Sequence, residues 1–134
     1  MSRENVELVR AFIEAYRQGQ TEAALDLLDQ HAVLDIARLD PPERGIAFGH
    51  EAITQLVVRY VATFAQYDYE VAKLVDLAGG TVLAVIAERG RGKGSGARVE
   101  RSYASLYNVI DGRVVRMTHF PTESEALEAV GLPE

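Results

Sequence analysis

The sequence contains no cysteine, and it has no uninterrupted apolar run long enough to cross a lipid bilayer. The first absence excludes a disulfide scaffold, a thiolate metal site and a cysteine nucleophile. The opening residues, MSRENVELVR, carry charges where a signal peptide needs an apolar segment. We therefore expect a soluble, cytoplasmic protein.

A length of 134 residues fits one domain, and a charged fraction of 25% is typical of an ordinary globular protein. The formal net charge is −6, so the average field repels nucleic-acid phosphates. The local exception is a basic cluster made of Arg89, Arg91, Lys93, Arg98 and Arg101. Two interpretations of this cluster stay open: a solvated hairpin tip, or a contact surface for nucleic acid.

Apolar residues recur at helical spacing in three segments of the first half of the chain. The first helix is predicted to run from a cap at Ser2 to Gly19. A short helix follows a cap at Thr21, and a third helix opens at Gly49 and His50. Its apolar stripe is wide enough to need a large flat partner such as a sheet. The inward positions of the three helices are Val6, Val9, Phe12, Ile13 and Tyr16; Ala24, Leu25 and Leu28; and Ile53, Leu56, Val57, Tyr60, Val61 and Phe64.

Most of the second half is predicted to form strands. An imperfect alternation predicts an early strand over residues 32–39, which the segment DPPERG ends because proline removes a ladder donor. Two-residue turns at Gly79-Gly80 and Asp111-Gly112 predict tight hairpins, because both turn positions tolerate positive φ. The strands that these turns and the glycine-rich segment GRGKGSG separate span residues 69–77, 81–90, 99–110 and 113–120.

A capping box, Thr122 to Glu125, predicts a last short helix that Gly131 and Pro133 close. Helices followed by a curled sheet indicate an α+β fold. We expect a cone in which three N-terminal helices pack on a curved, mixed or antiparallel sheet that encloses a cavity, with a short C-terminal helix. There is no internal repeat and no domain boundary, so residues 1–134 are predicted to form a single domain.

Six segments carry a resemblance to a known family, and together they run nearly end to end: NVELVR from residue 5, AVLD from 32, GHEAI from 49, RGRGKGSG from 89, DGRVVR from 111 and EALEAVGL from 125. They resemble the SnoaL-like, polyketide-cyclase-related branch of the NTF2-like superfamily. The resemblance implies the cone fold, a ligand-binding cavity and a homodimer through the outer sheet face, where we expect Val114 and Phe120 to be exposed. The superfamily includes isomerases, cyclases, epoxide hydrolases, dehydratases and non-catalytic binders, and fold does not choose among them.

The catalytic acids of well-known relatives are mostly missing from this sequence. Ketosteroid isomerases of this fold use a tyrosine and two aspartates, and the comparison places Phe12, Ile36 and Ser105 at those positions. Limonene-epoxide hydrolases use an Asp–Arg–Asp arrangement, of which only the arginine has a counterpart, Arg89. The resemblance therefore implies neither of these two mechanisms.

The resemblance also predicts which strand residues face the cavity, because alternate side chains share a face. On the last strand Val115, Met117 and His119 would point inward, and on its neighbour Tyr103, Ser105 and Tyr107 would do so. On the early strand, Leu34, Ile36 and Arg38 would point inward and Asp35 outward, although a slip of one residue reverses this.

His119, Tyr103 and Arg38 are the predicted catalytic residues. His119 would move a proton near neutral pH, while Tyr103 or Arg38 stabilises negative charge on an oxygen. Each also has a structural alternative: a hydrogen-bonded histidine, a packing tyrosine, and an arginine paired with Asp35. The predicted ligand-binding residues are Tyr16, Tyr60, Phe64, Arg89, Ser105, Tyr107 and Met117.

No cofactor or metal is expected. The histidines, His31, His50 and His119, lie far apart in sequence and do not form a metal-ligand spacing. The segment GRGKGSG lacks the Walker spacing and a following helix. The sequence thus favours binding of a hydrophobic, oxygen-bearing small molecule, with lyase, isomerase or hydrolase activity that needs no cofactor. The alternative is a non-catalytic ligand-binding or dimerisation module.

Overall fold

Two helices open the chain and lie against one face of a sheet. The computed structural model describes residues 2–39 and 45–131. Helix α1 spans Ser2–Arg17 and α2 spans Thr21–Asp26. Between them Gly19 has a φ of +75°, which glycine adopts without strain, and it follows the end of α1 as predicted.

The predicted helix caps differ from the observed ones at the second helix. Gln20, rather than Thr21, is the residue that flanks α2, and it makes no side-chain cap, so the predicted cap at Thr21 is wrong. The cap predicted at Ser2 depends on a side chain that lies outside the described part of the chain.

Six strands and two further helices complete the described chain. In order they are β1 (Leu28–Asp35), β2 (Ile46–Phe48), α3 (Gly49–Val61), β3 (Phe64–Asp76), β4 (Thr81–Gly92), β5 (Arg98–Ile110), β6 (Arg113–Phe120) and α4 (Glu123–Ala129). The strands form one curved, unclosed sheet in the order β2-β1-β6-β5-β4-β3. Strands β1 and β6 pair in parallel and the other neighbours pair antiparallel, so the sheet is mixed.

The early part of the sheet departs from the predicted strand. Strand β1 begins at Leu28 and ends at Asp35, because Leu28 pairs with Val114 and Asp35 with Thr118 of β6. Strand β2 was not predicted, since three residues are too short for an alternation to show. Residues 40–44, where a proline break is predicted, lie outside the described residues.

The later strands follow their predicted turns. Asp111 and Gly112 have φ of +51° and +75° and lie between the paired residues Ile110 and Arg113, which confirms the two-residue turn there. The hairpin at Gly79-Gly80 forms, but its turn is one residue longer than predicted. Ala78, Gly79 and Gly80 have φ of +71°, +65° and +83°, and the backbone N–H of Leu77 donates to the oxygen of Thr81 at 2.9 Å. Strand β6 has the predicted bounds, and β3 begins five residues earlier than predicted, at Phe64.

Helix α4 packs on the outer, convex face of the sheet, opposite α1 and α3. The Thr122 hydroxyl accepts a hydrogen bond from the backbone N–H of Glu125 at 3.1 Å, which confirms the predicted cap. Gly131 follows the helix with a φ of +76°, and Pro133 lies outside the described residues. No helix in the described part is both long and apolar enough to cross a membrane.

The apolar core lies on both faces of the sheet, and this corrects one expectation. Val114 is 0% exposed in the large inner cluster. Phe120 is 5% exposed in a smaller outer cluster that α4 covers. The expectation that Val114 and Phe120 are exposed sheet residues is therefore wrong. The outer cluster consists of Leu83, Ala104, Leu106, Phe120 and Ala126.

Candidate functional site

The concave face of the sheet and the helices α1 and α3 border a cavity of about 280 Å³. Its lining is mostly apolar and aromatic, which suits a hydrophobic ligand fixed by a few hydrogen bonds. The lining residues are Phe12, Ile13, Tyr16, Leu34, Ile36, Leu39, Ile53, Leu56, Val57, Tyr60, Val61, Thr63, Phe64, Tyr67, Tyr69, Ile86, Glu88, Val99, Arg101, Tyr103, Tyr107, Met117 and His119.

Most of the predicted site residues are among this lining. His119 and Met117 reach it from β6, and Tyr103 and Tyr107 from β5. Register explains this, because Tyr107 pairs with Met117 across the two strands. Three predicted residues from three other elements also line the cavity: Tyr16 of α1, Tyr60 of α3 and Phe64 of β3. Ser105 of β5 does not line it.

Tyr103 and His119 form the polar part of the cavity on the sheet side. Their rings lie with centroids 4.8 Å apart and planes tilted by 32°. Burial lowers the pKa of His119 to about 4, outweighing the small opposite effect of the Asp35 charge. The imidazole is therefore neutral at neutral pH, where it can both donate and accept one hydrogen bond.

The hydroxyl groups of the tyrosines divide into two sets. Tyr16 bonds to the Thr54 hydroxyl at 3.1 Å, and Tyr69 donates to the backbone oxygen of Ile13 at 3.5 Å. Tyr60 and Tyr67 both donate to one carboxylate, that of Glu88. Within the described chain, neither the two remaining hydroxyls, on Tyr103 and Tyr107, nor the His119 ring makes a side-chain hydrogen bond.

These unused groups hold their protons at neutral pH. Burial raises the pKa of Tyr103, and it raises that of Tyr107 against the opposing effect of the neighbouring Ser105 hydroxyl. Both phenols therefore remain hydrogen-bond donors toward the cavity. Because these polar groups border the cavity and make no bond to another side chain of the described residues, the cavity is suited to a ligand that has an oxygen.

Ser105 occupies a different place from the one predicted for a ligand-binding residue. It lies opposite His119 in the ladder between β5 and β6, is 0% exposed and does not border the cavity. Its hydroxyl is the one buried side-chain polar atom of the described residues without a hydrogen-bond partner.

Sequence reasoning missed a second polar cluster, which is centred on Glu88. This carboxylate is 4% exposed, and it accepts hydrogen bonds from the Tyr60 hydroxyl at 2.9 Å, the Tyr67 hydroxyl and Arg101 Nε at 2.7 Å. Arg101 also donates to the Tyr60 oxygen through Nη2. We name Tyr60, Tyr67, Glu88 and Arg101 the Glu88 cluster. All four side chains line the cavity.

The electrostatics of the Glu88 cluster favour a charged arginine and neutral phenols. Burial opposes the charge of Arg101, but the hydrogen bond to Glu88 and the nearby Tyr60 outweigh it and raise its pKa. Burial, followed by the Glu88 charge, raises the pKa of Tyr60 and of Tyr67. A signal for this cluster existed in the sequence, because Glu88 shares the inward face of β4 with Ala84 and Ile86.

Arg38 does not face the cavity, so the predicted orientation is wrong. Its Nη1 donates to Asp35 Oδ2 at 3.1 Å, and its guanidinium lies 5.1 Å from the centre of the Phe120 ring, on the outer face. The alternation ends where β1 ends, at Asp35, and so it does not extend to residue 38. Leu34 and Ile36 do line the cavity, as expected.

Asp35 points outward, as predicted, and its side chain makes hydrogen bonds on the outer face of the sheet. Its carboxylate accepts hydrogen bonds from Arg116 Nη2 at 2.9 Å, from Arg38 and from the backbone N–H of Ala37. Burial acts to raise its pKa, but these bonds and the two positive charges outweigh that effect and lower it.

Three arginines of the basic cluster predicted at the hairpin tip have acidic partners, and Arg91 donates instead to the backbone oxygen of Gly96 at 3.3 Å. Arg89 lies outside the cavity and pairs with Glu70 at 2.9 Å and with Asp68 at 3.6 Å. Arg98 lies 3.9 Å from Glu100, and Arg101 pairs with Glu88. The surface there is thus of mixed charge.

The other two histidines have structural settings. His50 contacts the backbone oxygen of Leu28 through Nε2 at 2.7 Å, at the start of α3. His31 is exposed on β1. Among the described residues, no three His, Asp or Glu side chains come together in a way that could hold a metal ion.

Comparison with known protein families identifies the class of protein. The model of the SnoaL-like domain matches residues 9–117, and the chain therefore belongs to the SnoaL-like family. No curated protein matches the sequence.

Solved structures share the fold at low sequence identity. Bal32a, from a soil-derived mobile gene cassette, is 19% identical with a TM-score of 0.78, over 88% of each chain. An NTF2-like protein from Burkholderia xenovorans LB400 is 21% identical with a TM-score of 0.74, over 90% of each chain. TerC co-crystallized with polyporic acid is 14% identical with a TM-score of 0.75, over 94% of this chain and 96% of that one. These likenesses establish the NTF2-like cone.

Proposed function

We propose that this SnoaL-like domain binds a hydrophobic small molecule that has an oxygen, inside the cavity between the sheet and helices α1 and α3. The oxygen accepts hydrogen bonds from the phenols of Tyr103 and Tyr107 and contacts the neutral imidazole of His119. Aromatic rings from the helices and from β3 surround the apolar body of the ligand. No cofactor takes part in this binding.

One observation carries the proposal: the lining divides its polar groups into used and unused ones. Four tyrosine hydroxyls have protein partners, whereas those of Tyr103 and Tyr107 and the ring of His119 have none within the described chain. These groups border the cavity, so a ligand oxygen there can take up their hydrogen bonds, each with a net value of about 1 kcal/mol. TerC, which has the same fold, was co-crystallized with a small molecule, polyporic acid.

The same arrangement supports proton transfer without a cofactor, and we propose an isomerase, lyase or hydrolase reaction of this kind. His119 is neutral and can accept a proton from carbon or water. Tyr103 and Tyr107 can donate to the oxygen on which negative charge develops. Arg38, predicted for that role, is on the other face of the sheet.

A specific observation favours the alternative, a binding module without catalysis. The pKa of His119 is lowered to about 4, so a protonated imidazole is disfavoured in the empty cavity. A base whose conjugate acid is that strong removes protons slowly from weak carbon acids. The two functions share one binding mode and differ in whether His119 moves a proton.

The binding proposal is tested by native mass spectrometry of the protein purified from cells, followed by titration with the molecule that co-purifies. The double variant Tyr103→Phe/Tyr107→Phe removes two unused hydroxyls and little volume. We expect its affinity to fall about tenfold or more, because each lost hydrogen bond is worth about 1 kcal/mol. Tyr16→Phe is the matched control, since its hydroxyl already bonds to Thr54. Equal affinities of the wild type and the double variant would contradict the proposal.

Catalysis is tested with the same ligand in D₂O. Proton abstraction by His119 predicts deuterium incorporation into the bound molecule, detected by NMR, and loss of this exchange in His119→Gln while binding persists. If the wild type shows neither exchange nor chemical conversion of the bound molecule, the protein is the binding module instead.

We also propose that two copies associate through the outer sheet face. The support is at β2, where Ile46 and Phe48 are 50% and 68% exposed. They pair with Asp35 and Val33 and so point away from the cavity-lining Leu34. Light scattering coupled to gel filtration tests this: Phe48→Ser should give a monomer, whereas Val58→Ser, an exposed change on α3, should not alter the mass.

A further inference from the structure

Arg101 is the one cationic side chain among the described residues that line the cavity. His119 adds no second positive charge, because burial lowers its pKa to about 4 and keeps the ring neutral. Glu88 is the one anionic side chain among the same lining residues. Both oxygens of Glu88 are already occupied: Oε1 by Arg101, and Oε2 by Tyr60 and Tyr67. An anionic group of a ligand in the cavity can therefore find a cationic partner only at Arg101.

The guanidinium of Arg101 is held rigidly on one edge. Nε donates to Glu88 and Nη2 donates to the Tyr60 hydroxyl, while the whole group lies 5.8 Å from the centre of the Tyr60 ring. Nη1 has no hydrogen-bond partner in the described chain. Nη1 and the second hydrogen of Nη2 thus form a free fork, and such a fork matches the two oxygens of a carboxylate.

Exposure places Arg101 at the open end of the cavity. Its side chain is 46% exposed, whereas that of Glu88 is 2% exposed.

Register sets the distance between this end and the neutral polar groups. Arg101 and Tyr103 are two residues apart on β5, which is about 7 Å along the strand. The row that contains Ser105 and His119 lies four residues from Arg101, about 14 Å away. The cavity therefore has two polar ends, one neutral and one cationic, with apolar walls between them.

We propose that the ligand is a hydrophobic carboxylic acid whose carboxylate binds the free fork of Arg101 while its other polar group lies at Tyr103 and His119, about 7–14 Å away. This inference rests on the proposed function, because it assigns the ligand of the same cavity. The Glu88 cluster is then the device that orients Arg101: Glu88 and Tyr60 fix one edge so that the other stays available.

The experiment compares one acid with its uncharged counterpart. The probes are 4-(naphthalen-2-yl)butanoic acid and its primary amide, which have the same length and apolar surface and differ in charge. Isothermal titration calorimetry at pH 7.5, where the acid is ionised, gives both dissociation constants. We expect the acid to bind about tenfold more tightly, since hydrogen bonds to charged groups are stronger than neutral ones.

A double variant tests whether Arg101 causes the preference for the acid over the amide. It removes both members of the ion pair, so that no unpaired charge is left in the cavity. Glu88→Gln/Arg101→Gln replaces the ion pair by two amides that can still bond to Tyr60 and Tyr67. In it we expect the acid and the amide to bind equally. Arg89→Gln, which removes an arginine outside the cavity, should keep the tenfold ratio. His119→Gln should leave the ratio unchanged, because neither probe has a polar group at that end of the cavity.

Each outcome decides a different statement. A ratio near one in the wild type, or a tenfold ratio that survives in the double variant, overturns the assignment to Arg101 and leaves the proposed function standing. If neither probe binds, and no hydrophobic ketone or phenol of similar size binds either, the proposed function fails and the carboxylate site fails with it.

Discussion

The rings of Tyr103 and His119 stack with their centroids 4.8 Å apart on neighbouring strands of the concave face. Strand pairing produces this contact: His119 lies opposite Ser105, and Tyr103 is the next inward residue of the same strand. Two aromatic rings with polar edges thus share one part of the cavity. Their burial governs how the protein should respond to pH.

His119 should make the folded protein less stable in acid. Its pKa is lowered to about 4 from 6.5, so between these values the unfolded chain binds more protons than the folded one. Stability therefore falls as the pH drops through this window, by up to about 3 kcal/mol. Urea unfolding at pH 7 and pH 4.5 measures the loss, and His119→Gln should reduce it. His31→Gln, on the surface, should not. An NMR titration that places the His119 midpoint near 6.5 would be inconsistent with this account.

Asp35 should also make the folded protein less stable as the pH falls, but at a lower pH than His119 does. Its pKa is lowered by its hydrogen bonds and by the charges of Arg38 and Arg116, which outweigh its burial. The contribution is present above the unfolded pKa and is lost as the pH falls through the folded one. At pH 7 we expect Asp35→Asn to cost about 1–3 kcal/mol, since the arginines are half-exposed. In urea unfolding, the difference in free energy of unfolding between the wild type and Asp35→Asn should be smaller at pH 3 than at pH 7. Asp111→Asn, at an exposed position, is the control.

Phe120 should be important for docking of α4. Its ring is buried between the sheet and the helix, next to Leu106 and Ala126. Phe120→Ala should destabilise the fold by about 3 kcal/mol, from lost burial and the space left behind. Ile110→Ala, at a side chain that is 60% exposed, should change the free energy of unfolding by less than about 0.5 kcal/mol. Similar values for the two variants in urea unfolding would show that α4 does not cover Phe120.

Gly80 and Gly79 make a matched pair in one turn. Both have positive φ, but a Cβ at Gly80 would lie 2.8 Å from the backbone oxygen of Val109, whereas one at Gly79 would meet nothing within 4 Å. We expect Gly79→Ala to cost about 1 kcal/mol from backbone strain alone. Gly80→Ala should cost more, because the clash adds to that strain. Thermal melting of the two variants checks the order, and a reversed order would contradict the turn geometry.

The sequence predicted the later strands better than the early ones, for a physical reason. Tight turns at Gly79-Gly80 and Asp111-Gly112 fix where a hairpin reverses, so β4 and β6 start where predicted. Strand β1 has no such turn beside it. Its limits come from pairing with β6, which is distant in sequence and leaves no local signal.

The candidate site was predictable where the alternation of side chains along one strand decides which residues face the cavity, as at Met117 and His119. It was not predictable at Arg38, because β1 ends at Asp35 and the alternation stops there. Glu88 was not predicted as a site residue. A carboxylate within an apolar alternation is the signal that would have found it, but its partners, from α3, β3 and β5, come together only in the folded chain.

The parallel pairing of β1 with β6 has a consequence for synthesis on the ribosome. Strand β1 lies between β2 and β6, and β6 is translated some eighty residues after β1 begins. Until it emerges, the first strands have one unsatisfied edge, and such edges invite pairing with other chains. The nascent protein is therefore expected to depend on chaperones until β6 has emerged and paired with β1 and β5.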